Sequence, residues 1–142
     1  MLKNLDPILS PELLSVLAAM GHGDELAIVD ANFPAVTMAR RLVRLDGLGA
    51  TRVLEAVLSV LPLDDFVDSP AAVMQVVGQP ETVPETVREF QQAIDRAEAK
   101  SVKITSLDRF EFYDRSRAAF AIVATGEMRL YGNVLLKKGV IR

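Results

Sequence analysis

Gly21-His22-Gly23-Asp24-Glu25-Leu26-Ala27-Ile28-Val29-Asp30 is the stretch on which the fold turns. Residues 26–29 are consecutively apolar and read as a short strand buried on both faces, as in a sheet covered by helices. Asp30 stands at the carboxyl end of that strand, and in open α/β sheets ligands bind outside the carboxyl ends of strands. His22, the chain's one histidine, precedes the strand between two glycines. Two readings of it are open. It is either a surface residue in a glycine-rich helix cap, or a proton-transfer group, since imidazole ordinarily titrates at about pH 6.5. On the second reading Asp30 is the nearest plausible partner, across the strand.

Working outward, Ser10-Pro11 is a helix start, with Leu13, Leu17 and Met20 along one face. Gly21 is expected to end that helix in the left-handed conformation and to leave His22 at its C-terminus, where the dipole favours an imidazolium. Residues 31–34, Ala-Asn-Phe-Pro, read as an extended loop. Phe33 there is a core filler or a ligand wall, the former preferred. A second strand is expected over 41–45, ended by Asp46-Gly47. Leu54, Val57, Leu58 and Leu61 then make the stripe of an amphipathic helix that Pro62 stops.

Asp64, Asp65 and Asp68 form an acidic loop, read as solvated turn residues in preference to a cation site. A third strand is expected over 71–77. Thr82 and Glu85 have the spacing of a capping box, ahead of a helix that buries Val87, Phe90, Ile94 and Ala97 and leaves Glu89, Arg96 and Glu98 to solvent. A fourth strand over 102–106 leads to Asp108, the cap of a helix with Arg109 in its first turn. Strands over 118–124 and 134–136 complete the chain, with Tyr131-Gly132-Asn133 as the turn before the last. The alternation of strands and helices predicts an α/β fold, a layered single domain over 1–142 with a mainly parallel sheet covered by helices.

A chain of 142 residues suffices for one core without staples. Its net charge of -3, without a basic cluster, argues against nucleic acid or an anionic membrane surface as partner. With no cysteine and one histidine there is neither a disulfide nor a thiolate nucleophile, and no metal site is expected. The apolar run near 53–63 is broken by Glu55 and Pro62 and is shorter than the ~20 residues a membrane span needs. Asp6-Pro7 falls where a signal peptide has its apolar core, so a cytoplasmic location is expected.

Separated motifs resemble, in order and spacing, the L-fucose mutarotase / D-ribose pyranase family, and within it the fucose-type branch. They are Ser10-Pro11-Glu12-Leu13-Leu14, Met20-Gly21-His22-Gly23-Asp24-Glu25, Asp30 with Phe33-Pro34, Arg44 with Asp46-Gly47-Leu48, Arg109-Phe110-Glu111-Phe112-Tyr113, Ala124-Thr125-Gly126-Glu127, Tyr131-Gly132-Asn133 and Lys137-Lys138-Gly139-Val140. The resemblance implies an isomerase of the racemase/epimerase class that interconverts the α and β anomers of L-fucose or a related monosaccharide. It further implies His22 as the catalytic acid/base and Asp30, Arg109, Tyr131, Gly132 and Asn133 as substrate-binding residues, with no cofactor. A homo-oligomer, commonly a decamer, comes with it. Asn32 departs from the family pattern, which often has His there, beside the expected pocket. A non-catalytic sugar-binding or regulatory module is the second reading, and a phosphocarrier with His22 phosphorylated a more distant third.

Overall fold

A computed structural model describes residues 1–142. Its elements run α1 (Pro11–Ala19), β1 (Glu25–Val29), α2 (Ala35–Met38), β2 (Leu42–Leu45), α3 (Ala50–Leu58), β3 (Ala71–Met74), α4 (Glu85–Glu98), β4 (Ile104–Leu107), α5 (Arg109–Ala118), β5 (Ala121–Thr125) and β6 (Val134–Lys137). Six strands make one sheet in the order β2-β5-β1-β6-β3-β4. β5 is parallel to β1 and β2, and β3 is parallel to β4, whereas β6 runs antiparallel to both β1 and β3. Five strands therefore point one way and β6 alone opposes them, which agrees with the mainly parallel sheet read from the sequence.

Strand alternation sends Leu26 and Ile28 of β1 to one face and Ala27 and Val29 to the other. The first pair joins a core with Leu13 and Leu17 of α1, Val53 and Val57 of α3 and Phe90 and Ile94 of α4. The second pair packs with Met38 of α2 and Phe112 of α5. The sheet is thus the middle of three layers. Phe90 and Phe112 are fully buried, one on each side, and burial of a side chain of that size contributes about 1.5–3 kcal/mol.

Several local expectations are corrected. α1 is closed by Met20 in extended conformation, and the left-handed glycine is Gly23 at φ 85°. Residues 35–38, to which the sequence reading assigned no element, coil into a short helix after that loop. The Thr82–Glu85 spacing makes no capping box: α4 begins after Pro84, and Thr82 bonds back to Gln79 at 3.3 Å. Pro84, with its fixed φ, occupies the cap position that Thr82 would need. Ala118 ends α5 instead of opening a strand, and β3 stops at Met74. Ser10 and Asp108 cap their helices as read, accepting from Leu13 N–H and from the N–H groups of Phe110 and Glu111. No helix is long and apolar enough to cross a membrane.

Candidate functional site

Because five strands share a direction, the carboxyl ends of β1, β3, β4 and β5 meet at one edge of the sheet, together with the amino end of the opposed β6. That topology brings residues from 30, 109 and 131–133 into one place. Of these, Asp30, Arg109, Tyr131 and Asn133 line a cavity of about 210 Å³ alongside Phe33 and Tyr113, while Gly132 lies behind its wall. This is below the roughly 300–1,000 Å³ of sites for drug-sized ligands and suits a smaller one.

Asp30 and Asn133 are both buried. Asp30 N–H donates to Asn133 Oδ1 at 2.8 Å, which orients the amide, so Asn133 Nδ2 donates to Asp30 Oδ2 at 3.1 Å. Asn32 N–H donates to Asp30 Oδ1 at 3.0 Å. Burial pushes the Asp30 carboxyl above its ordinary value, with the hydrogen bonds from Asn32, Asn133, Gly132 and Phe33 pulling the other way. The result is a carboxylate held in a fixed pose beside an open cavity, able to accept a hydroxyl proton.

Gly132 is required by contact: a Cβ there would lie 2.8 Å from Glu127 Cγ and 3.5 Å from Asp30 Cβ. Tyr131 takes a left-handed backbone, φ 62°, and its hydroxyl accepts from Val77 N–H at 3.1 Å. This ties the turn to the segment after β3. Arg109 opens α5, with its guanidinium 4.8 Å from the Phe110 ring and exposed at the cavity. Phe33 does both things open to it in the sequence, packing edge-on against Phe112 and Tyr113 at 6.0 and 5.5 Å while walling the cavity. Asn32 reaches the same wall.

His22 is elsewhere. It precedes β1 and Asp30 follows it, and a strand rises about 3.3 Å per residue, so the two stand at opposite edges of the sheet, roughly 20 Å apart. The expected His22–Asp30 pairing within a chain is therefore overturned. The partner is Asp64, whose Oδ1 is 3.1 Å from His22 Nε2. Asp64 is buried, contrary to its reading as a solvated turn residue.

Glu127 and Arg129 also escaped the sequence reading. Glu127 is buried and accepts from Arg129 Nε at 2.9 Å and from Ala50 N–H at 3.3 Å, at the start of α3. Arg129 continues to Glu89, which accepts from Thr51 Oγ1 at 2.8 Å. Glu89 is thus a long-range partner, not plain solvation. The Glu-x-Arg spacing is the only local signal of this network.

The family model described as the RbsD / FucU transport protein family matches residues 3–141. Fucose mutarotase of Mus musculus is 48% identical, the match covering 99% of this chain and 95% of that one. L-fucose mutarotase of Actinobacillus pleuropneumoniae is 43% identical over 99% of this chain and 97% of its own. The crystal structure of the fucose mutarotase in complex with L-fucose from Streptococcus pneumoniae superposes with TM-score 0.93 at 42% identity, covering 99% of this chain and all of that one.

Proposed function

Since this chain belongs to the RbsD / FucU transport protein family, we propose that it is an isomerase that interconverts the α and β anomers of L-fucose. The observation that carries the reading is the convergence of Asp30, Arg109, Tyr131 and Asn133 on one small cavity. Full-length similarity to proteins named as fucose mutarotases supports it.

Anomer exchange opens the hemiacetal and recloses it. The anomeric O–H gives up its proton and its electron pair forms the C1=O bond, while the pair of the C1–ring oxygen bond leaves with the ring oxygen, which takes a proton. Rotation about C1–C2 and the reverse steps give the other anomer. The uncatalysed reaction runs in water, so one positioned acid/base, contributing about 10²–10⁴-fold, with fixed hydroxyls, is sufficient apparatus. His22 is that acid/base in this reading. Asp30 and Asn133 bind hydroxyls by accepting and donating, and Arg109 donates from the rim. Gly132 lets backbone approach the sugar.

The separation of His22 from Asp30 makes the reading depend on assembly. In it the protein is a cytoplasmic homo-oligomer in which His22 of the partner subunit closes the cavity of the first. Such a head-to-tail contact joins different surfaces of two copies and closes into a ring, a decamer being the form the resemblance implies. Saturation-transfer NMR of L-fucose tests the activity: exchange should rise in proportion to protein concentration, and exchange at the buffer rate overturns the proposal.

A further inference from the structure

Glu127 is a buried titratable side chain to which the proposed chemistry gives no task. Its carboxylate is fully engaged. Oε1 accepts from Arg129 N–H at 3.0 Å and from Arg129 Nε at 2.9 Å, and Oε2 accepts from Arg129 Nη2 at 3.1 Å and from Ala50 N–H at 3.3 Å. These donors fill the roughly four lone-pair sites of a carboxylate, so none is left for a ligand. Ala50 opens α3, whose cap residue, Gly49, makes no side-chain bond to the helix. A carboxylate 77 residues away caps it in place of a local residue.

The backbone of the same segment brackets Asp30. Glu127 O accepts from Ala31 N–H at 2.9 Å. Glu127 N–H donates to Thr125 Oγ1 at 3.2 Å, and that hydroxyl donates to Val29 O at 2.7 Å. The residues on both sides of Asp30 are thereby tied to 125–127. The stem of Glu127 reaches the other half of the site: a Cβ on residue 132 would lie 2.8 Å from its Cγ, so the stem packs against the backbone of Gly132. Gly132 N–H is in turn one of the donors to the Asp30 carboxyl. Stability is a poor reason for a carboxylate at this place. Arg129 is 41% exposed and also paired with Glu89, and apolar replacement of buried charge is often neutral or stabilising. What the carboxylate supplies is a fixed stem: bonds at its tip to backbone N–H groups and a planar guanidinium hold it against Gly132, where an apolar chain of equal length would turn between rotamers.

We propose that Glu127 is a positioning residue of the sugar site, which through Gly132 and the residues flanking Asp30 sets the Asp30 carboxylate against the Tyr131–Asn133 turn and so fixes the fit of the sugar hydroxyls. The identity of the sugar rests on the mutarotase reading; the placement of the turn does not. Two variants of equal chain length separate anchoring from bulk. Glu127→Gln keeps an acceptor for Ala50 N–H and Arg129, and Glu127→Met keeps the volume alone. In Glu127→Met, KM for L-fucose exchange should rise at least about 10-fold with kcat within about 2-fold. Gly132 N–H should exchange with solvent at least about 10-fold faster than in the wild type, without sugar. In Glu127→Gln both quantities should stay within about 3-fold of the wild type.

In the wild-type protein Gly132 N–H should already be protected at least about 100-fold although it lies in a turn; exchange there at the open-chain rate overturns the proposal and needs no variant to fold. Wild-type KM and protection in Glu127→Met overturn it as well. So do losses of equal size in the two variants that follow their unfolding midpoints in urea, as a bulk packing role would give. The expected pattern of amide protection in a protein whose wild type does not exchange L-fucose overturns the mutarotase reading and supports the placement of the turn by Glu127.

Discussion

Asp30 and Asn133 hold each other by two hydrogen bonds, backbone to amide at 2.8 Å and amide to carboxylate at 3.1 Å, across the junction of β1 and β6. The pair joins residues 103 apart and leaves the remaining carboxylate lone pairs for the cavity. Asn133→Asp retains the shape, removes the donor and sets a second buried carboxyl against the first. L-fucose affinity by calorimetric titration is expected to drop at least about 10-fold, the scale of one charged hydrogen bond. The sign of the pH effect follows from Asp30, whose carboxyl is raised by burial. A raised carboxyl binds its proton more tightly when folded, so it costs stability progressively as pH climbs above its ordinary 3.8. The variant should widen that loss, with a larger deficit in melting temperature at pH 7 than at pH 4.

On the proposed mechanism, His22→Ala removes the acid/base and leaves the cavity residues of its own chain untouched. The acceleration of L-fucose anomer exchange should fall by about 10²–10⁴-fold in saturation-transfer spectra. Equal rates in variant and wild type would remove His22 from the chemistry, and retained binding with no exchange in the wild type would identify a binding module.

Much of this arrangement was legible in the chain, and what was not has a common physical cause. β1 declared itself because residues between two helix layers are apolar on both faces. α1, α3 and α4 announced themselves through apolar stripes, such as Val87, Phe90 and Ile94 in α4. Asp64 misled because Asp64-Asp65 with Asp68 has the composition of a solvated turn, and its burial comes from a distant glycine, Gly139, against Leu63 O. Convergence of Asp30 with Asn133 required β6 to run against its neighbours, a matter of pairing that spacing does not encode. The expected link of His22 to Asp30 failed on strand rise alone.

Shared sites make a sharp prediction about mixtures. If the His22 of one subunit serves the cavity of the next, His22→Ala and Arg109→Ala proteins, each nearly inactive, should complement on refolding together. A site works when an Arg109→Ala subunit supplies the histidine to a His22→Ala cavity, which in random heterologous rings is about one site in four. Exchange at about a quarter of the wild-type rate is expected in the co-refolded mixture. A mixture as inactive as its components would mean that each chain carries its own complete set.

Thr86 lies in α4, 1% exposed, and its hydroxyl is the one buried side-chain polar atom without a partner. An unmatched buried hydroxyl forfeits its hydration for nothing, at a cost of about 1–3 kcal/mol. Thr86→Val keeps the branched shape and removes that cost. An increase of about 1 kcal/mol in unfolding free energy should appear in urea denaturation with unchanged slope, and exchange of L-fucose should be unaffected.

Arg129 bridges Glu127 and Glu89, and its guanidinium holds both carboxyls below their ordinary 4.5, Thr51 adding to the effect on Glu89 and backbone N–H groups to that on Glu127. A depressed carboxyl contributes stability that is present above its ordinary value and lost as pH falls through the folded one. Arg129→Met removes the cation and leaves buried Glu127 uncompensated. Breaking a fully buried pair costs about 3–5 kcal/mol; with Arg129 itself 41% exposed, solvent screening reduces the expected loss to about 1–2 kcal/mol. Acid unfolding should begin at higher pH than in the wild type. Because Gly132 packs on Glu127 at the position where a Cβ would meet it at 2.8 Å, release of Glu127 should also loosen the Tyr131–Asn133 turn and raise KM for L-fucose more than it lowers kcat. A variant with normal acid stability would show that the ion pairs are surface contacts without structural consequence, and normal KM with lowered stability would uncouple the network from the sugar site.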